Sequence, residues 1–301
     1  MQIVEYGGWK QCARLADGRI ELFATLEVGP RIIRFGFAGG PNEFVEFPED
    51  MGKTGGSEYR SYGGHRLWVS PEVSGRTDLP DNSPVQHEWD GQSLTLTAPV
   101  EQPTRLQREM EITLTDGGVR IEHRVYNKGL FEVYCAPWCL SVMAPGGQAF
   151  FPQEPYRPHS EQLLPARPMV LWAYTDMSDP RWTWGRRLIR LRQDTEATTP
   201  QKVGALVTAG WAAYRNGDRV FVKCFPCEAD EYPDFGCNFE TYTNERMLEL
   251  ESLGPMQVIL PGERATHVET WGLFDDVELP DEDAPLEEEL YRLASELPEP
   301  E

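Results

Sequence analysis

The chain has 301 residues, 28 basic and 49 acidic side chains, a net charge of −21 and 40 % hydrophobic residues. That length and apolar content can build one large core, and no apolar run reaches the roughly 18 residues a membrane-crossing helix needs. The acidic balance, with no basic stripe to offset it, excludes nucleic acid from the expected partners.

In chain order, the dominant signal is period-two alternation punctuated by tight-turn residues, which predicts β-structure. Asp17-Gly18 separates a strand over residues 9–15 from one over 20–26. Residues 51–82, rich in Gly, Ser, Pro and charge, read as a long ordered loop carrying Tyr62-Gly63-Gly64-His65-Arg66-Leu67-Trp68. Residues 93–97 alternate as a strand. Leu106, Arg108, Met110, Ile112 and Leu114 then alternate with polar residues up to Asp116-Gly117-Gly118, and Val119, Ile121, His123 and Val125 alternate back. This predicts a long hairpin with one apolar and one wet face. Residues 148–179, rich in Pro and aromatics, read as a second loop. Asn216-Gly217-Asp218 separates a run over 203–214 from one over 219–225. Residues 237–255 read as two strands joined at 243–246, and a last strand over 266–274 follows the turn Pro261-Gly262-Glu263.

The final stretch differs. Twelve acids and one arginine fall in residues 275–301, so about half the net charge belongs to a tail. Leu286, Leu290, Leu293 and Leu297 recur at helical spacing after Pro285. Proline suits a first helical turn and acids suit a helix N-terminus, which predicts one short amphipathic helix. The expected organisation is a body over residues 1–274 and an acidic tail over 275–301.

Met1-Gln2-Ile3-Val4-Glu5 has neither a basic nor an apolar leader character, so a cytoplasmic protein is expected. The six cysteines fit a reducing compartment. Cys224-x-x-Cys227 with Cys237 offers three zinc-type ligands but no fourth, so no metal and no other cofactor is expected.

Three constellations can carry chemistry. His65, Arg66 and Trp68, with Glu72 four residues on, combine a neutral-pH proton carrier, a fork of donors and an apolar face for a sugar ring. Paired glycines just before them allow close backbone approach to a ligand. Glu240 and Glu251 lie in stretches dense with Asn, Thr and Tyr, including Asn238; a buried carboxylate among such groups suits a base. His267 and Glu269 share a face of the last strand, whereas His123, on the apolar face of its hairpin, reads as a satisfied core residue.

The order of these features resembles the galactose-mutarotase-like family, more narrowly a bacterial branch of it. Gly29-Pro30-Arg31-Ile32-Ile33 is similar to the family's early Gly-x-Arg-Ile strand. Gly64-His65-Arg66-Leu67-Trp68-Val69-Ser70-Pro71-Glu72 and the segment from Ala136-Pro137-Trp138 to Pro145-Gly146-Gly147 resemble signatures of that branch. Glu249-Leu250-Glu251-Ser252 and Leu260-Pro261-Gly262-Glu263 resemble its closing strand and turn. The resemblance runs to about Phe274. It implies a supersandwich of two large twisted antiparallel sheets with a sugar on a concave face. It also implies interconversion of aldose anomers, a glutamate taking the anomeric proton while a histidine protonates the ring oxygen. The matching glutamate is Glu251, with Glu240 as its rival. The segment that carries the family's acid histidine corresponds to Pro137-Trp138-Cys139-Leu140, which has none, so His65 would have to serve from elsewhere. Arg66, Trp68, Glu72, Arg31 and Asn238 complete the expected sugar site. Two functions follow as expectations: an aldose 1-epimerase, or a sugar-binding protein without catalysis. In both, the partner is a small carbohydrate.

Overall fold

The structure, a computed structural model, describes residues 1–300. Alternation in the sequence becomes alternation in burial. In the hairpin of Leu106–Thr115 with Gly118–Asn127, side chains from Leu106 to Ile112 are buried at every second position. Ile112 stands opposite Ile121 and Met110 opposite His123. A pattern of period two can bury one face only by packing it on a second sheet.

That second layer is present. One sheet has 11 strands, ten of them in the order Gln2–Tyr6, Trp9–Ala16, Ile20–Thr25, Arg31–Phe37, Gly64–Ser70, Val133–Met143, Leu248–Leu253, Phe239–Thr243, Gln201–Ala205 and Met169–Leu171. Gln257–Ile259 pairs off that path with the start of Val133–Met143. The other sheet has 10 strands, from Trp182–Trp184 through Leu188–Arg192, Gln148–Pro152, Trp211–Asn216, Arg219–Cys224, Arg264–Phe274, Gly118–Asn127, Leu106–Thr115 and Ser93–Thr97 to Gln86–Trp89. Both are antiparallel, so the architecture is the expected all-β sandwich of two large sheets. Between them lies one large core, in which Phe35, Phe44, Phe221 and Trp271 meet edge to face or tilted at centroid distances of 5.5–6.3 Å.

Three readings of the sequence are corrected. The run over residues 203–214 is not one strand: Gln201–Ala205 belongs to the first sheet and Trp211–Asn216 to the second. The chain changes layers at Gly210, whose φ is +68° and whose added Cβ would lie 2.6 Å from the Phe225 carbonyl. The stretch over 51–82 is not all loop either, because Gly64–Ser70 is an interior strand of the first sheet. Within residues 148–179, Gln148–Pro152 and Met169–Leu171 are likewise strands. Gly63 makes its close approach to the chain itself: an added Cβ would meet the Val45 carbonyl at 1.9 Å, at φ +98°.

The tail forms a helix, Asp283–Ser295, with Leu286, Leu290, Leu293 and Leu297 buried on Trp211, Val220, Val222 and Phe274 of the second sheet's outer face. No helix of the described residues is long and apolar enough to cross a membrane. Leu290 is fully buried in this contact. Leu290→Ala is expected to remove about 2–5 kcal/mol of packing. Hydrogen exchange across residues 286–297 should then become fast while the sandwich strands stay protected; unchanged protection there would show that the helix does not depend on this face.

Candidate functional site

Register decides which side chains meet. Arg66 pairs with Leu140, Leu140 with Glu251, and Glu251 with Glu240. Directly paired residues project from the same face of an antiparallel sheet. These side chains therefore form one row on the face of the first sheet turned away from the second. Trp68, Trp138 and Leu253 form the neighbouring row. Lys202 reaches the same face, two residues before Gly204, the partner of Glu240.

Two opposed glutamates repel one another unless a cation intervenes, and Lys202 intervenes. Its Nζ donates to Glu251 Oε2 at 2.9 Å and lies 2.7 Å from Glu240 Oε2, the latter an ion pair too bent for a directed hydrogen bond. The ammonium also sits 4.8 Å from the Trp138 ring centre and 4.7 Å from that of Trp172, a cation–π sandwich. Trp138 Nε1 donates to Glu251 Oε2 at 2.9 Å. Burial works against the charge on Lys202, but Glu251 and Glu240 outweigh it and hold the ammonium protonated. Burial pushes the Glu240 carboxyl well above the usual carboxylate range; Lys202 opposes that and Glu251 adds to it. Glu249 is pushed up to about 7, again by burial first, although Arg66 Nη2 lies 3.1 Å away.

Glu251 Oε1 and both Glu240 oxygens have no hydrogen bond. Orphaned buried acceptors are costly in a folded chain and call for an explanation. A cavity of about 360 Å³ opens over Glu240, its walls including Glu72, Trp138, Trp172, Lys202 and Asp234; Glu251 is not in its wall but touches Lys202 and Trp138, which are. Asp234 and Phe235 both take left-handed backbone, φ 50° and 63°, which is strained for residues other than glycine. The bend brings Asp234 Oδ2 within 3.2 Å of Ser70 Oγ and leaves Phe235 91 % exposed beside the cavity. A larger cavity, about 530 Å³, lies between the C-terminal helix and Trp211 but assembles no comparable set of buried charges.

The expected site residues divide. Glu240 and Glu72 line this cavity, and Glu251 contacts its walls Lys202 and Trp138. Arg66 and Trp68 share its face, but the Arg66 guanidinium lies 4.3 Å from the Trp68 ring centre and covers one side of it. Arg31 is fully buried and spent on the Ser61 and Gly63 carbonyls and on Asp81, at 2.7 Å. Asn238 is also buried, its amide clamped to the backbone N–H and carbonyl of Val207. These two fasten loops.

His65 is the main correction. On a strand, neighbours point to opposite faces, so His65 leaves the row of Arg66 and enters the space between the sheets. Its Nε2 lies 2.7 Å from His123 Nε2 and its Nδ1 2.9 Å from Ser141 Oγ. The His267 carbonyl can only accept, so His123 Nδ1 donates to it at 3.1 Å. His123 Nε2 then accepts from His65 Nε2, and His65 Nδ1 accepts from Ser141. Lys223 Nζ donates to Ser141 Oγ and pairs with Glu269 Oε1 at 2.8 Å. Glu269 also accepts from Ser252 and from Trp271 Nε1, so His267 Nε2 donates to Ser252 Oγ. His65, His123 and Glu269 bring ligand atoms within 4.8 Å of one another, as do Cys139, His267 and Glu269. Two nitrogens on a tetrahedral zinc stand about 3.3 Å apart, whereas the two histidine nitrogens are at hydrogen-bond distance with a lysine alongside. These donors suit a closed hydrogen-bond network better than an ion.

The sequence reading missed Lys202, Trp172 and Asp234 as site residues, and Trp138 figured only within a resemblance. Lys202 is one lysine just ahead of the run read over residues 203–214, and no local pattern marks it. Trp172 and Asp234 sit in loops whose course only the fold fixes.

No family model matches the sequence, and no curated protein matches it. Solved structures do match. A galactose mutarotase-like protein from Lactobacillus casei aligns with a TM-score of 0.59 at 10 % identity, over 87 % of this chain and 100 % of its own. A galactose mutarotase related enzyme from Lactobacillus acidophilus aligns at 0.57 and 9 % identity, over 89 % and 99 %. A Klebsiella pneumoniae protein provisionally named an aldose 1-epimerase aligns at 0.60 and 12 % identity, over 98 % and 86 %. At such identities the likeness is one of fold: the chain has the galactose-mutarotase-like fold.

Proposed function

We propose that this protein binds an aldose sugar in the cleft over Glu240, Glu251 and Lys202, and that it interconverts the sugar's anomers there with Glu251 as the proton acceptor. The observation that carries the reading is the unpaired Oε1 of fully buried Glu251, whose other oxygen is held by Trp138 and Lys202, both walls of the cavity that Trp172 closes. Sugar rings present apolar faces to indoles and hydroxyl protons to carboxylates. The names borne by the solved structures of this fold support the same substrate class. The proposal includes a cytoplasmic setting, in keeping with six free thiols.

One observation favours a second reading, a binding protein without turnover: His65, the expected acid, is walled off from the cleft on the opposite face of its strand. Polarimetry and calorimetry with D-glucose and D-galactose separate the two. Trp172→Ala is expected to weaken binding about 10-fold by removing one wall. Glu251→Gln keeps the shape and removes the base, so binding should persist while anomer interconversion falls by about 10²–10⁴-fold. Binding without interconversion in the unaltered protein would establish the second reading. No binding by any aldose would overturn both.

A further inference from the structure

The geometry points to Lys202 as the proton donor of this cleft, giving its proton to the ring oxygen as Glu251 takes the anomeric one. The inference rests on the epimerase reading and identifies the residue that stands where a histidine is lacking.

An ammonium carries three N–H donors. One goes to Glu251 Oε2 and a second side is taken by Glu240 Oε2. The third has no protein acceptor among the contacts described, and Lys202 is itself a wall of the cavity. Both walls beside it, Trp138 and Trp172, are indoles that hold the ammonium between their faces and take none of its protons. Arg66, a second cation on this face, is engaged by Glu249 and stacked on Trp68, and a guanidinium does not give up a proton in proteins.

The step balances. Glu251 Oε1 takes the proton of the anomeric hydroxyl, and the electron pair of that O–H bond forms the carbonyl. The bond from the anomeric carbon to the ring oxygen breaks, its electron pair staying on oxygen, and Lys202 Nζ supplies the proton. Rotation about the bond next to the carbonyl presents its other face. Closure then runs the same transfers backwards, so Glu251 and Lys202 recover their starting states. The departing oxygen is an alkoxide in character, a base near hydroxide in strength, so even a lysine that its neighbours hold firmly protonated is an adequate acid for it. Paired glutamates have a further use here: they keep the donor charged before each turnover.

Glu240 is the rival donor, since burial favours its protonated form. Three variants decide between them, assayed by polarimetry with whichever of D-glucose or D-galactose the unaltered protein turns over. Lys202→Met is expected to lower kcat by about 10²–10⁴-fold with KM changed less than about 5-fold. That variant leaves two buried glutamates without a cation, so Lys202→Arg is the second arm. It keeps the charge and both ion pairs, is checked for an unchanged thermal midpoint, and should lose kcat to a similar extent because it cannot donate. Glu240→Gln, which removes one of the two carboxylates that keep Lys202 charged, should lower kcat by less than Lys202→Arg does. Full turnover in Lys202→Arg would overturn the inference and leave the epimerase reading intact. So would a collapse of turnover in Glu240→Gln with Lys202→Arg active, which would assign the proton to Glu240. Absence of interconversion in the unaltered protein would remove the epimerase reading and this inference together.

Discussion

Lys223→Met is expected to destabilise the fold by about 3–5 kcal/mol, the usual cost of leaving a buried charge without its partner. Lys223 and Glu269 are both fully buried between the sheets, 2.8 Å apart, and Lys223 Nζ also lies 3.1 Å from the carbonyls of Cys139 and Leu250. Its contacts join both layers, since Cys139 and Leu250 belong to the first sheet and Glu269 to the second. Removing the ammonium strands the Glu269 carboxylate, which then keeps only Ser252 and Trp271 as donors. The double variant Lys223→Met/Glu269→Gln removes both charges and should recover a substantial part of the loss, because a buried ion pair is worth less than the penalty for breaking it. Urea unfolding midpoints measure both. A midpoint unmoved in the single variant would refute the pairing.

Stability should fall gently as pH drops from about 6.5 to 4.5 and steeply below that. Burial lowers His123 and His267 to about 3 and takes His65 well below 6.5, its ordinary value. The folded chain keeps these rings neutral while the unfolded chain protonates them below 6.5. Each therefore costs about 1.36 kcal/mol per pH unit as pH falls from 6.5 toward 3. Two cleft carboxyls act in the opposite sense. Glu249, at about 7, and Glu240, well above its ordinary 4.5, hold protons in the folded state that the unfolded chain binds only below 4.5. Glu249 adds stability as pH falls from about 7 to 4.5, Glu240 acts in the same direction above 4.5, and neither adds anything further below that. The opposing slopes cancel only in part between 6.5 and 4.5, three groups against two. Below 4.5 nothing offsets His123 and His267, which cost about 1.36 kcal/mol per unit each down to about 3, and His65 acts in the same direction. Glu21, Glu109 and Glu122 add to the loss, because salt bridges and hydrogen bonds overcome burial to hold their carboxylates low, and that stability goes as they protonate. In Glu240→Gln/Glu249→Gln the compensating pair is gone, so the decline should already be steep from near pH 6.5. Urea midpoints from pH 7.5 to 3.5 test this, and identical profiles for the two proteins would refute it.

The cleft was half legible. Glu240 and Glu251 stood out because carboxylates amid Asn, Thr and Tyr on strand-like runs have few bland uses, and the register indeed opposes them. His65 stood out equally and belongs to the other face. The glycine-rich surroundings of residues 63–70 read as a loop, where a side chain has no obligatory direction. Once Gly64–Ser70 pairs with Arg31–Phe37 and Val133–Met143, alternation fixes its side chains. Arg66 and Trp68 go one way and His65 goes the other.

From the sequence alone came the class of fold, the hairpins and the terminal helix. These depend on neighbours in the chain: a period of two, a turn pair such as Asp116-Gly117, a leucine every third or fourth position. What only the tertiary structure decided was partnership across distance. Lys202 meets Glu251 over 49 residues and Trp138 meets it over 113. Lys223 joins Cys139 and Glu269 across two sheets. No local pattern encodes such meetings, because a charged residue's burial is set by which strands lie beside its own, and strand order is fixed by packing of the whole core rather than by any one segment.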